Sequence, residues 1–156
     1  MSVNGVEHTA FVEPRKTLAD FLREDCLTTG VHQGCEHGVC GACTVLLDGE
    51  PVRSCLLFAV QVRGSNVTTA EGLAGDDGSL SVVQEAFRDC HGLQCGFCTP
   101  GFVVTVTAFL AAEPDPDIDQ IRDALSGNLC RCTGYQGIIA AVQQAAGASR
   151  PAKGAE

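Results

Sequence analysis

Four cysteines in one short stretch constrain this chain more than any other feature. Cys35, Cys40, Cys43 and Cys55 lie in "GCEHGVCGACTVLLDGEPVRSC", spaced C-x4-C-x2-C with the fourth after eleven further residues. Asp48-Gly49, flanked by "TVLL" and "EPVRSC", fits a two-residue hairpin turn whose central residues take positive φ. Such a hairpin returns Cys55 to the loop, so that four thiols meet at one centre. The chain holds ten cysteines in 156 residues. Its first residues, "MSVNGVEHTAFVEPRK", lack the basic start and apolar run of a secretory signal. A cytoplasmic location is therefore expected, where thiols stay reduced and serve metal binding or catalysis more often than disulfides.

The C-x4-C-x2-C…C spacing is that of plant-type ferredoxins, which hold a [2Fe-2S] cluster. Gly34, Gly38 and Gly41 interleave the thiols; they permit backbone conformations that bulkier residues resist and let amide N–H groups approach sulfur. Four thiolates also suit a structural zinc ion, although zinc ribbons favour two short C-x2-C knuckles over a glycine-lined loop.

A second constellation follows. "LQCGFCTPG" carries Cys95 and Cys98, and "CRC" carries Cys130 and Cys132. A C-x2-C pair also occurs in thioredoxin-type dithiols, but that motif belongs at the end of a strand in a βαβ setting, and here helical periodicity lies on both sides. Four thiols in two pairs make a second tetrathiolate site, for iron and sulfide or for zinc. Cys26 and Cys90 lie on or beside apolar helical patterns and read as small buried hydrophobes. His32, His37 and His91 lie near the cysteine loops but are surplus to two complete sets of four. Arg131, between two thiols, either offsets charge or faces solvent.

The rest of the chain divides around "AGDDGS", residues 74–79, which reads as a linker. Before it, Asn4-Gly5 marks another hairpin. Thr17 caps a short helix bearing Leu18, Phe21 and Leu22, with Asp20 at the capping-box position. After it come four helical patterns. The first is capped by Ser79 or Ser81 and carries Val83, Phe87 and Cys90. The second opens at Thr99-Pro100 and stops before Glu113-Pro114. The third starts at Asp117 with Gln120 and carries Ile118, Ile121 and Leu125; the fourth is "GIIAAVQQAA". The helices fall into two pairs, with one cysteine pair in each intra-pair connection and each cysteine pair before a helix N-terminus, which favours negative charge. The expected domains are 1–76 and 77–148, with a flexible tail over 149–156.

A net charge of −9, with only ten Lys and Arg, argues against nucleic-acid binding. The longest apolar run, "GFVVTVTAFLAA", makes about 18 Å of helix at 1.5 Å per residue, short of the ~30 Å of a bilayer core. It reads as a buried helix, and no membrane span is expected.

In four ordered motifs, "TLADFLRED", "GCEHGVCGACTVLLDGEPVRSC", "LQCGFCTPG" and "ALSGNLCRCTGY", the chain resembles the two-cluster iron-sulfur subunit of the molybdenum hydroxylases, the family of xanthine dehydrogenase, aldehyde oxidoreductase and carbon monoxide dehydrogenase. The likeness spans about residues 3–145. It implies an α+β protein: an N-terminal plant-ferredoxin-like β-grasp domain holding the first [2Fe-2S] cluster on Cys35, Cys40, Cys43 and Cys55, then a C-terminal four-helix domain holding the second on Cys95, Cys98, Cys130 and Cys132. It also implies a large partner subunit with a molybdopterin-type molybdenum cofactor, a medium subunit with FAD, and a dimer of heterotrimers. In that family Gln94 and Cys132 would lie against the pterin, with Gln94 hydrogen-bonding it. Electrons would pass from molybdenum through the helical-domain cluster and the β-grasp cluster to FAD, and no catalytic residue is expected in this chain. The first strand is shorter than is usual in the family, and Cys26 stands where an aliphatic residue or glycine is common. A freestanding two-cluster carrier and a zinc-stabilised interaction module are the other functional readings.

Overall fold

The structure is a computed structural model and describes residues 1–132 and 135–148. The expected tail over 149–156 lies outside the described residues, as do Thr133 and Gly134 of the "CRCTGY" motif.

Both Asx-Gly pairs turn the chain where expected. Asn4 and Gly5 have φ of 50° and 80°, and Asp48 and Gly49 have φ of 51° and 92°, the left-handed pair that suits the twist of flanking strands. They join β1 (Ser2–Val3) to β2 (Val6–Glu7) and β3 (Thr44–Leu47) to β4 (Glu50–Arg53). A further strand, β5 (Asn66–Thr68), runs parallel to β1 and antiparallel to β3. It joins the two hairpins into one sheet of order β2-β1-β5-β3-β4. Thr17 caps α1 (Leu18–Glu24): its hydroxyl oxygen accepts from the Asp20 amide at 3.1 Å. Leu18 and Leu22 of α1 share a core with Val3, Val31, Val45 and Val67.

The second half is helical, and its starts follow the capping chemistry. Ser81 caps α2 (Val82–Asp89) with Gln84 reaching back, and Asp117 caps α4 (Ile118–Leu125) with Gln120 doing the same. Each such cap satisfies amides that the helix leaves unpaired and contributes about 1 kcal/mol. Between them runs α3 (Thr99–Ala112), and α5 (Gln136–Ala148) follows. Helix α2 packs on α5 and α3 on α4, enclosing Phe87, Phe102, Val106, Ile121, Ile138 and Val142. Ile118, expected on the buried face, is exposed, because its place in the first turn of α4 puts it at the rim of this core. The stretch 74–79, read as a linker, closes on itself in a turn. The Gly75 amide donates to the Ser79 carbonyl and the Gly78 amide to the Gly75 carbonyl, both at 2.8 Å. Asp77 accepts from the Ser79 amide at 2.9 Å.

The apolar run expected to be buried is α3, and its surroundings explain why it is apolar on every side. One face joins the helical core, and the other packs on β3. A Cβ at Gly101 would lie 2.3 Å from the Gly41 carbonyl oxygen, so the helix meets the first cysteine loop at backbone distance. No helix among the described residues is long and apolar enough to cross a membrane.

Candidate metal centres

The first cysteine set is built by the loop before β3 and the turn after β4. Cys35 and Cys40 are half-buried, while Cys43 and Cys55 are buried. The loop wraps its own amides around sulfur: the Cys40 amide donates to Cys35 Sγ at 3.3 Å. That donor first, and the His37 amide next, pull the Cys35 thiol down to about 6. Cys55 behaves in the opposite way, pushed up to about 11 by burial and then by its hydrogen bond with Cys43. The two residues are held together because the Ser54 hydroxyl donates to the Cys43 carbonyl at 2.7 Å. Gly38 and Gly41 take φ of 83° and 74°. Gly34 serves a different purpose: a Cβ there would stand 3.1 Å from Cys40 Sγ, so its role is close approach rather than φ.

The second set lies in the two helix connections. Cys98 is the N-cap residue of α3, and Cys95 stands three residues before it. Cys95 and Cys132 are exposed, with their sulfurs 3.5 Å apart. The Phe97 amide, and then Cys132, lower the Cys95 thiol. Cys98 is buried and pairs with Cys130; burial first, then Cys130, pushes it up to about 12. The Cys130 amide donates to the Tyr135 hydroxyl at 3.1 Å, which ties this loop to the start of α5. Gln94 is exposed beside Cys95. Among the described residues the buried Thr99 hydroxyl, next to Cys98 in sequence, has no hydrogen-bond partner.

These features suit the binding of iron and sulfide. Each set offers four thiols. The thiols meet in pairs: Cys43 with Cys55, Cys95 with Cys132 and Cys98 with Cys130. Two thiolates per iron is the arrangement that a two-iron cluster needs, whereas tetrahedral zinc draws all four sulfurs to one point at about 2.3 Å. Amides directed at Cys35 and Cys95 supply donors for sulfur.

The remaining candidates lie outside both sets. Cys26 is half-buried, its thiol raised by burial and then by Asp25. Cys90 ends α2, and its Sγ donates to Gln144 Oε1 at 3.0 Å. His37 contacts the Cys35 carbonyl through Nδ1, His91 takes φ of 52° just after α2, and Arg131 is exposed. His32 does more than occupy a loop. Its Nδ1 lies 2.7 Å from the Phe97 carbonyl oxygen, and its ring stacks on Phe97 with centroids 4.8 Å apart, joining the two cysteine loops.

Residues that the motif reading passed over complete the arrangement. Arg53, Asn128 and Tyr135 carry hydrogen bonds between or within the loops. The signal for Asn128 and Tyr135 was their place in "ALSGNLCRCTGY", a motif otherwise read only for its thiols. Arg53 had no signal beyond standing two residues before Cys55.

Comparison with known proteins agrees with this architecture. Residues 1–74 match the 2Fe-2S iron-sulfur cluster binding domain family, and residues 69–143 match the [2Fe-2S] binding domain family. The chain is 55% identical to the nicotine 6-hydroxylase small subunit of Paenarthrobacter nicotinovorans, over 94% of this chain and 88% of that one. It is 51% identical to caffeine dehydrogenase subunit gamma of Pseudomonas sp. (strain CBB1), over 100% and 95%. Among solved structures, quinoline 2-oxidoreductase from Pseudomonas putida 86 superimposes with a TM-score of 0.89 at 50% identity, over 94% of this chain and 91% of that chain. The ferredoxin-like sheet, the helical domain and these likenesses together place the chain in the family of two-cluster [2Fe-2S] small subunits of the molybdenum hydroxylases, the electron-transfer components of heteromeric oxidoreductases.

Proposed function

We propose that Cys35, Cys40, Cys43 and Cys55 hold one cluster, that Cys95, Cys98, Cys130 and Cys132 hold the other, and that the two units divide at residues 76 and 77. What supports this reading is the pairing of thiols within each set, Cys43 with Cys55, Cys98 with Cys130, and Cys95 with Cys132, whose sulfurs lie 3.5 Å apart. When bound, such clusters supply reversible one-electron storage. The chain's residues supply the surroundings. The Cys40 and Phe97 amides favour thiolate at Cys35 and Cys95, and burial at Cys43, Cys55 and Cys98 excludes water.

The order of electron flow follows that of the family, and the exposure at the second set suits it. Gln94, Cys95 and Cys132 are exposed together, leaving one side of the second set open to a large partner that carries the molybdenum cofactor. There Gln94 would donate to the pterin through its side-chain amide, with Cys132 beside it. Electrons enter at that end and leave by the Cys35–Cys43 loop, toward FAD on a medium subunit. The assembly is a dimer of such heterotrimers, and its location is the cytoplasm. Nicotine, caffeine and quinoline in the names of three relatives favour an N-heterocyclic substrate on the large partner.

Iron, zinc and acid-labile sulfide analysis of anaerobically purified protein is expected to give two irons and two sulfides for each cluster, with two distinct [2Fe-2S] resonances after dithionite reduction. Zinc without sulfide would overturn the reading. Gln94→Ala in the assembled complex is expected to alter the molybdenum resonance while both cluster resonances persist. Unchanged molybdenum spectra and turnover would remove its assigned role.

A further inference from the structure

Several hydrogen bonds that cross between the two units converge beside the cysteines. The Leu129 amide donates to the Cys40 carbonyl at 2.9 Å, joining the backbone next to Cys130 to the first loop. Asn128 lies just before it and is 1% exposed. Its Nδ2 donates to the Gly41 carbonyl at 3.1 Å, and its Oδ1 accepts from the Thr105 hydroxyl at 3.1 Å and from Arg53 Nη2 at 3.5 Å. Arg53 completes the arrangement from the other unit. Nη2 donates to the Gly127 carbonyl and Nη1 to the Thr44 hydroxyl, each at 2.6 Å.

The packing of α3 on β3 already gives this interface its apolar contact, and apolar packing is non-directional. A planar guanidinium fork and a buried amide satisfied at both ends are directional, and they fix register. Both belong to segments that carry cysteines: Arg53 stands between Thr44, next to Cys43, and Ser54, next to Cys55; Asn128 stands two residues before Cys130.

We propose that Arg53 and Asn128 are positioning residues, a clasp that sets the separation of the two cysteine sets and thereby the rate of electron passage between them. The proposal rests on the reading that these sets hold the two clusters. In the step concerned, one electron leaves the centre bound by the second set, which is oxidised, and reaches the centre bound by the first, which is reduced. No proton moves and no bond is made or broken.

The test uses Arg53→Gln and Asn128→Ala in the complete complex, with two readouts: the magnetic splitting between the two reduced clusters, which falls with the cube of their separation, and the rate at which the first cluster is reduced after mixing with substrate. Both variants are expected to retain both clusters, to show a smaller splitting and to transfer severalfold more slowly, since electron tunnelling falls exponentially with separation. Ile121→Val, which loosens the helical core away from the clasp, is expected to lower thermal stability and leave the splitting unchanged. Should Asn128→Ala not assemble, Arg53→Lys carries the same test, because it keeps the charge and loses the fork. Intact clusters with wild-type splitting and rate in the clasp variants overturn the clasp alone. A wild-type complex without two [2Fe-2S] resonances overturns the ligand assignment and the clasp together.

Discussion

Cys43→Ser is expected to remove one of the two [2Fe-2S] resonances and to stop electron delivery to flavin, while substrate still reduces molybdenum. Cys43 is 2% exposed and meets Cys55 inside the first core, with its carbonyl held by Ser54. A serine hydroxyl there is a harder and far weaker acid than a thiol. It also stands in an apolar setting that opposes ionisation, so it replaces the thiolate poorly as an iron ligand. The second set is anchored to a different core, with Cys98 in it and Cys130 packed against it, and is expected to assemble as before. Stopped-flow reduction by substrate, with flavin and molybdenum followed separately, checks the order of transfer. Loss of molybdenum reduction in an otherwise assembled complex would count against electrons entering at the Gln94 end.

Gly41→Ala is expected to have the largest effect on stability. Gly41 takes φ of 74°, where a Cβ costs about 1–2 kcal/mol. The added methyl would also stand 2.6 Å from the Gly127 carbonyl and 2.7 Å from the Asn128 side-chain amide. Neither neighbour is a flexible end. One is backbone, and the other is a buried amide bonded to the Gly41 carbonyl itself. Overpacking of this kind costs about 1–3 kcal/mol more, so denaturation should show a loss of about 2–5 kcal/mol, with the helical unit separating from the sheet. Gly49→Ala is the comparison. Its φ is 92° but nothing lies within 4 Å of an added Cβ, so it should show only the backbone part. Equal losses at the two positions would mean that the contact between units contributes nothing at Gly41.

Much of the fold was legible because its signals are local. The Asx-Gly turns, the Thr17, Ser81 and Asp117 caps and the stop before Pro114 each depend on a few neighbouring residues, and each appears where expected. The departures arise at element ends, where a local pattern says little about what lies opposite. Ile118 follows the helical period but sits at the rim of the core.

The sequence by itself determined the grouping of thiols and the chemistry they suit, because metal-ligand spacing, turn formation and capping operate over short stretches of chain. It also determined that α3 would be buried, since no face of that helix is polar enough for water. Only the tertiary structure decided which thiols meet, Cys95 with Cys132 and Cys98 with Cys130, and that Arg53 and His32 reach across to the other unit. Those contacts join residues up to 75 positions apart. They depend on the packing of α3 against β3 through Gly101 and Gly41, a non-local fit of surfaces that no single stretch of sequence encodes.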